Sequence, residues 1–275
     1  MPSAKPAHLQ PSELGTKDWD RLYATELSNY ASNPEDTGTV WFDDSDAEAK
    51  MVQFLAELHD SGGVLARTIL DLGCGNGSLL RAVREELFSE GGTPRLLGVD
   101  YSEASISLAQ SVNNDHVEEE GHGDDDDEDD DDEDDDDDKS SEVPITFRVW
   151  DMLQGSVDDL DEPDGWDLVL DKGTFDAISL GNNALHETEG AQAGPSVEVQ
   201  YRTRVLQLLR PGGRFLITSC NWTESELCAW MEDEEERTRG AWLVQTGRVA
   251  YPSFQFGGVQ GQTVCTVCFE KRVAA

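Results

Sequence analysis

The sequence predicts an α/β fold: a Rossmann-like, doubly wound sheet of seven strands, mostly parallel, with an antiparallel last strand. Three observations carry this. From Thr68 onward, short apolar runs alternate with stretches of helical periodicity, the pattern of βαβ units on a parallel sheet. The first run, Thr68–Leu72, leads directly into a glycine-rich turn and then a helix. The last two runs are joined only by YPSFQFGGVQG, which leaves no room for a crossover helix, so the final strand must turn back antiparallel.

The elements follow in order. Residues 1–14 lack periodicity and read as a flexible tail. Thr16 to Leu27 reads as a helix, with Trp19, Leu22, Tyr23 and Leu27 at helical spacing and Thr16 as its N-cap. A loop, NPEDTGTVWFDD, precedes a second helix, Asp46 to His59, marked by Met51, Phe54, Leu55 and Leu58. Residues 15–62 thus form an N-terminal helical lid segment of one domain spanning 15–275. Ser78–Phe88 is a helix, and Arg95–Asp100 a strand ending in an acid. Ser102 caps a helix running to about Asn113. Ile145–Val149 and Trp166–Asp171 are strands, and Val197–Leu209 is a helix stopped by Pro211-Gly212-Gly213. Arg214–Ser219, Trp242–Ala250 and Gln262–Lys271 are the remaining strands. The crossovers should be right-handed.

Charge narrows the choice of partner. The net charge is -38, and Asp124 to Asp138 is an unbroken acidic run. Self-repulsion should keep the insert at 115–142 disordered. It connects a helix to a strand, and such connections lie at the sheet end opposite the ligand crevice. The rest of the chain is acidic too, so nucleic acid is an unfavourable substrate and a basic protein a better one. No signal-like or membrane-spanning apolar stretch is visible, and the five cysteines are scattered. These features predict a cytoplasmic chain with reduced thiols and no membrane association. Cys265 and Cys268 form a C-x-x-C inside a strand pattern, where residues three apart face opposite ways. No metal site is expected from them or from the five dispersed histidines.

The chemistry is carried by acids at strand ends. Ile69-Leu70-Asp71-Leu72-Gly73-Cys74-Gly75-Asn76-Gly77 is a buried strand, an acid and three alternating glycines. Position 78 is Ser, where a dinucleotide fingerprint would carry its third glycine. S-adenosyl-L-methionine has no pyrophosphate, and its cationic ammonium suits Asp71. Asp100 ends the next strand, where a carboxylate can accept both ribose hydroxyls. Asp151 follows the strand after that and can accept the adenine amino group, with Trp150 or Met152 against the ring. Trp166 to Asp171 ends at the switch point, followed by Lys172-Gly173-Thr174-Phe175-Asp176. Nucleobase amino-methylating enzymes place an Asp/Asn-Pro-Pro-aromatic run there, which this chain lacks.

At this point the match becomes specific. DKGTFDAISL, PGGRFLITSCNWTESEL and YPSFQFGG, with the front segment LGTKDWDRLYATEL…EDTGTVWFDD, resemble the eukaryotic elongation factor 1-alpha lysine methyltransferases of the seven-strand class. The resemblance runs from about Leu14 to Lys271 and breaks at the acidic insert and at Gly181–Ser196. It implies a cytoplasmic enzyme that mono- or dimethylates a lysine of elongation factor 1-alpha; a monomer is expected. It also implies a front segment closing over the cofactor, with Trp19, Tyr23, Trp41 and Phe42 as lid or channel candidates against ordinary core packing. The cofactor set is then Asp71, Gly73, Cys74, Gly75, Gly77, Asp100, Tyr101, Asp151, Met152 and Trp41. The acceptor channel takes Tyr23, Phe42, Lys172, Phe175, Asn221 and Trp222. Asp171 is expected to align the incoming amine as the catalytic residue. Two other readings stand beside this one: methylation of another protein or a small molecule, and a non-catalytic acidic binding module on the same fold.

Overall fold

The computed structural model describes residues 19–61, 66–89, 92–120, 143–183, 195–252, 254–256, 259–261 and 263–274. The proposed N-terminal tail, the Thr16 cap and residues 121–142 of the acidic insert lie outside the described residues. The described helices are α1 (Trp19–Ser32), α2 (Ala47–Asp60), α3 (Ser78–Phe88), α4 (Glu103–Glu120), α5 (Thr174–Asn183), α6 (Val197–Leu208), α7 (Glu224–Met231) and α8 (Glu234–Arg239). The strands are β1 (Thr68–Leu72), β2 (Arg95–Asp100), β3 (Ile145–Val149), β4 (Trp166–Lys172), β5 (Leu209–Ser219), β6 (Ala241–Val249), β7 (Phe254–Phe256), β8 (Val259–Gly261) and β9 (Cys265–Val273).

Seven strands form one sheet in the order β3-β2-β1-β4-β5-β9-β6. β3, β2, β1, β4 and β5 are parallel; β9 runs antiparallel to both β5 and β6. The link before β9 forms a small hairpin of β7 and β8. Strand alternation sorts the apolar residues onto two faces. Leu70, Leu72, Val169, Phe215 and Ile217 pack with Phe175, Tyr201 and Leu227 of α5, α6 and α7. Ile69, Leu168, Leu170 and Leu216 pack with Met51, Leu80 and Ile106 of α2, α3 and α4. Cys265 joins the first face and Cys268 the second, as their spacing on one strand requires.

Several boundaries move, for physical reasons. α1 continues to Ser32 because Tyr30 is buried against Leu108 and Val112 of α4. α4 itself runs to Glu120, so residues 115–120 are helical rather than part of the insert. β5 starts at Leu209 and carries Pro211-Gly212-Gly213 inside a register shift against β4, so that triplet is a bulge as well as a helix stop. α5 and α7 had no clear apolar period. α7 is nonetheless announced by a capping box: Thr223 accepts from the Glu226 N–H, and the Glu226 carboxylate accepts from the Thr223 N–H at 2.9 Å.

Candidate functional site

The switch point falls between β1 and β4, where the chain winds outward in both directions. A cavity of about 560 Å³ opens at the carboxyl ends of these strands. Gly73 and Gly75 form its floor loop, both left-handed at φ 63 and 57. A side chain at 73 would come within 2.0 Å of the Thr174 hydroxyl, and one at 75 within 2.7 Å of the Tyr23 hydroxyl. The loop is tied to β2 by the Cys74 N–H, which donates to the Val99 carbonyl at 2.9 Å. Asp71, Cys74, Gly75 and Gly77 shape this loop from beneath and do not line the cavity. Burial holds the Asp71 carboxyl well above its ordinary range, with Lys172 opposing.

Asp100 lines the cavity while its carboxylate accepts from the Ser102 N–H at 2.9 Å and the Gly75 N–H at 3.3 Å. Burial raises its pKa and those backbone donors pull it down. Tyr101, Asp151 and Met152 line the same side. Asp151 accepts from the Leu153 and Gln154 N–H groups at 2.7 and 3.1 Å, which turns the chain back after β3. Trp150 also lines the cavity, braced by its indole N–H on the Ser156 carbonyl at 2.9 Å.

The front segment forms the roof. Trp19, Tyr23, Trp41 and Phe42 all reach the cavity, with Trp19 and Trp41 in edge contact at 4.8 Å between centroids. Four contacts latch this segment to the sheet and to α3. Asn76 donates to the Thr37 carbonyl at 2.9 Å, and Lys172 donates to the Trp41 carbonyl at 3.2 Å. Lys172 also pairs with Glu48 at 3.6 Å, and Ser78 donates to Glu48 at 2.6 Å. Phe42 sits at φ 65, uncommon for a bulky residue, and its ring lies against Gly173.

Besides the four residues of the β1 end and floor loop, Asp171, Phe175 and Trp222 do not line the cavity. Asp171 is fully buried and its carboxylate accepts from the Thr174 N–H at 2.7 Å, the Phe175 N–H at 2.9 Å and the Tyr201 hydroxyl. It closes the start of α5 rather than facing an acceptor. Burial pushes its pKa up to about 7, against the pull of those donors. Phe175 is fully buried against Tyr201, because the first turn of α5 points it into the core. Trp222 packs on Phe175 and Trp230 and donates to the Ser179 hydroxyl at 3.1 Å. Lys172 and Asn221 do line the cavity.

Sequence reasoning missed Asp176, which lines the cavity from α5, and Thr174, Ile178 and Cys220 around it. The signal was available: Asp176 lies five residues past Asp171, on a helix starting at Thr174.

A family model described as a methyltransferase domain matches residues 66–119, which carry the floor loop and Asp100. Over 97% of this chain and 98% of the relative, the sequence is 37% identical to the protein-lysine N-methyltransferase EFM4 of Saccharomyces cerevisiae. It is 31% identical to EEF1A lysine methyltransferase 2 of Homo sapiens, over 95% of this chain and 88% of that protein. The chain belongs to this family of protein-lysine N-methyltransferases. The family's similarity therefore spans the lid, the floor loop and the ends of β4 and β5 alike. The fold is also that of the plantazolicin methyltransferase BpumL, solved in complex with SAH, at a TM-score of 0.50 and 12% identity over 93% of this chain and 98% of that one.

Proposed function

We propose that the chain transfers a methyl group from S-adenosyl-L-methionine to a lysine of translation elongation factor 1-alpha. The observation that carries this is the near full-length similarity to enzymes named for that protein, combined with a cavity whose chemistry suits the reaction. The cavity lining holds three carboxylates, Asp100, Asp151 and Asp176, against one ammonium, Lys172. Such a lining fits a cationic cosubstrate and a cationic side chain. Gly73 and Thr174 would cradle the aminocarboxypropyl end, Asp100 the ribose, and Asp151 with Met152 the adenine.

When bound, S-adenosyl-L-methionine supplies a methyl group on a positive sulfonium, whose departure as a neutral thioether needs little acid-base help. The protein's task is then positioning and exclusion of water. Tyr23, Trp41 and Phe42 wall the roof with aromatic surface, and the bonds of Asn76 to the Thr37 carbonyl and of Lys172 to the Trp41 carbonyl hold their segment over the floor. A free lysine titrates near ~10.4. The aromatic walls disfavour the charged form while the carboxylates draw it in, so the lysine docks as an ammonium and releases a proton to solvent before its amine attacks.

The acidic surface supports a protein substrate over nucleic acid or an anionic membrane, and we read the enzyme as cytoplasmic and monomeric. Among the described residues no helix is long and apolar enough to cross a membrane. The test is to incubate the purified chain with methyl-labelled S-adenosyl-L-methionine, a eukaryotic cell extract and recombinant elongation factor 1-alpha. Label should enter the elongation factor on lysine, and mass spectrometry then gives the site and the number of methyl groups. Label in low-molecular-weight material alone, or on a different protein, would overturn the reading.

A further inference from the structure

We infer that Asp176, in the first turn of α5, is the carboxylate that receives the ammonium group of the lysine to be methylated. The inference deepens the proposed function and rests on it. Three carboxylates line the cavity. Asp100 stands at the end of β2 and Asp151 just past β3, on the side of the floor loop assigned to the cosubstrate. Asp176 stands across the switch point, with Cys220 and Asn221 just past the end of β5 lining the same cavity and the Cys220 N–H bonded to it. No part of the cosubstrate assignment uses it.

Its geometry suits a receiving group. Asp176 is 5% exposed and lines the cavity. One oxygen accepts from the Ser219 hydroxyl and the other from the Cys220 N–H at 2.8 Å. Ser219 is held in turn by the Asn221 and Trp222 N–H groups, which donate to its oxygen at 3.1 and 3.0 Å. The carboxylate is therefore fixed in direction, and an incoming ammonium would join the Ser219 hydroxyl and Cys220 N–H, or displace the weaker Cys220 thiol and Asn221 N–H contacts, at its roughly four acceptor sites. The lysine arrives as an ammonium, with one N–H donating to Asp176; once another proton has left to solvent, the amine keeps that N–H bond and its freed lone pair is aimed along the cavity. Asp171 does not compete for this role, since it is fully buried and does not line the cavity.

The experiment is a coupling measurement on the full-length enzyme. Wild type and Asp176→Asn are titrated with recombinant elongation factor 1-alpha and with its variant whose methylated lysine, located by mass spectrometry, is Met. S-adenosylhomocysteine is present throughout. Asn keeps the shape and an acceptor for the Cys220 N–H but removes the charge. Wild type should prefer the lysine form by about tenfold or more, the scale of one charge-assisted hydrogen bond, and Asp176→Asn should lose that preference. A merely structural role would weaken both forms equally. KM for the elongation factor should rise by about tenfold, while calorimetry shows cosubstrate affinity within about threefold. An undiminished preference in Asp176→Asn overturns the inference alone. So does a fall in cosubstrate affinity that matches the loss of transfer, which would make Asp176 a cosubstrate ligand. Absence of transfer by wild type would instead overturn the substrate reading, and this inference with it.

Discussion

Asp100 and Asp171 have the same local surroundings in the sequence. Asp100 is the last residue of a buried parallel strand and Asp171 the last but one, and each is followed within a few residues by a helix. Each also spends acceptor capacity on backbone N–H groups at that turn. Their fates differ. Asp100 keeps an edge on the cavity, whereas Asp171 is sealed by the Tyr201 hydroxyl, which arrives from α6 thirty residues later. A strand-end acid in this fold is therefore a ligand group only where no other element covers it. The uncovered acid of the β4 side lies one helical turn further on, at Asp176.

The strongest way to break this comparison is Asp171→Ala. It leaves the Tyr201 hydroxyl and two N–H groups without their acceptor in a fully buried setting. The expected loss is about 3 kcal/mol or more of folding stability, read from urea unfolding. Transfer per folded molecule should change far less than stability does. A folded, stable Ala variant with transfer lost would return Asp171 to the reaction.

Asp100→Ala should do the opposite. Cosubstrate binding should weaken by roughly 1.5–3 kcal/mol, the range for a charge-assisted hydrogen bond, with the fold retained. Calorimetry with S-adenosylhomocysteine checks it, and unchanged affinity would remove the distinction between the two acids.

A pH series sharpens the same contrast. Asp171 is pushed up to about 7, while an aspartate in the unfolded chain titrates near ~3.9. Between these values the folded protein holds a proton that the unfolded chain has released. Stability from this group is thus full below about pH 4 and is lost as pH rises through about 7, at up to ~1.4 kcal/mol per unit. Asp171→Asn cannot titrate, so its stability should fall less between pH 5 and 8 than that of wild type. An identical slope in both proteins would contradict the assignment.

The smallest effect is expected from removing Asp124–Asp138. The flanking elements, α4 and β3, meet this insert at the sheet end away from the cavity, so neither acid should notice. Turnover on purified elongation factor should stay within a few-fold. A collapse of activity with the fold intact would show that the insert recruits the substrate.

Local chemistry accounts for what was legible beforehand. β1, α3, β2 and β3 were readable to the residue: β1 and β2 as short runs buried on both faces, and β3, at the sheet edge, by alternation of buried and exposed positions. The left-handed turns at Gly73, Gly75 and Gly77 were legible too, since few other residues adopt them. The roof aromatics Trp41 and Phe42 came from the resemblance of the front segment, and their position over the cavity rests on contacts such as Lys172 to the Trp41 carbonyl, 131 residues apart. Which acid faces the cavity was not local information at all. Asp171 and Asp176 are equivalent as residues. Tyr201 covers one of them, and Ser219 with the Cys220 N–H holds the other where it lines the cavity. Burial and hydrogen-bond partners are properties of packed elements, and only the folded chain brings α5, α6 and the end of β5 together to assign them.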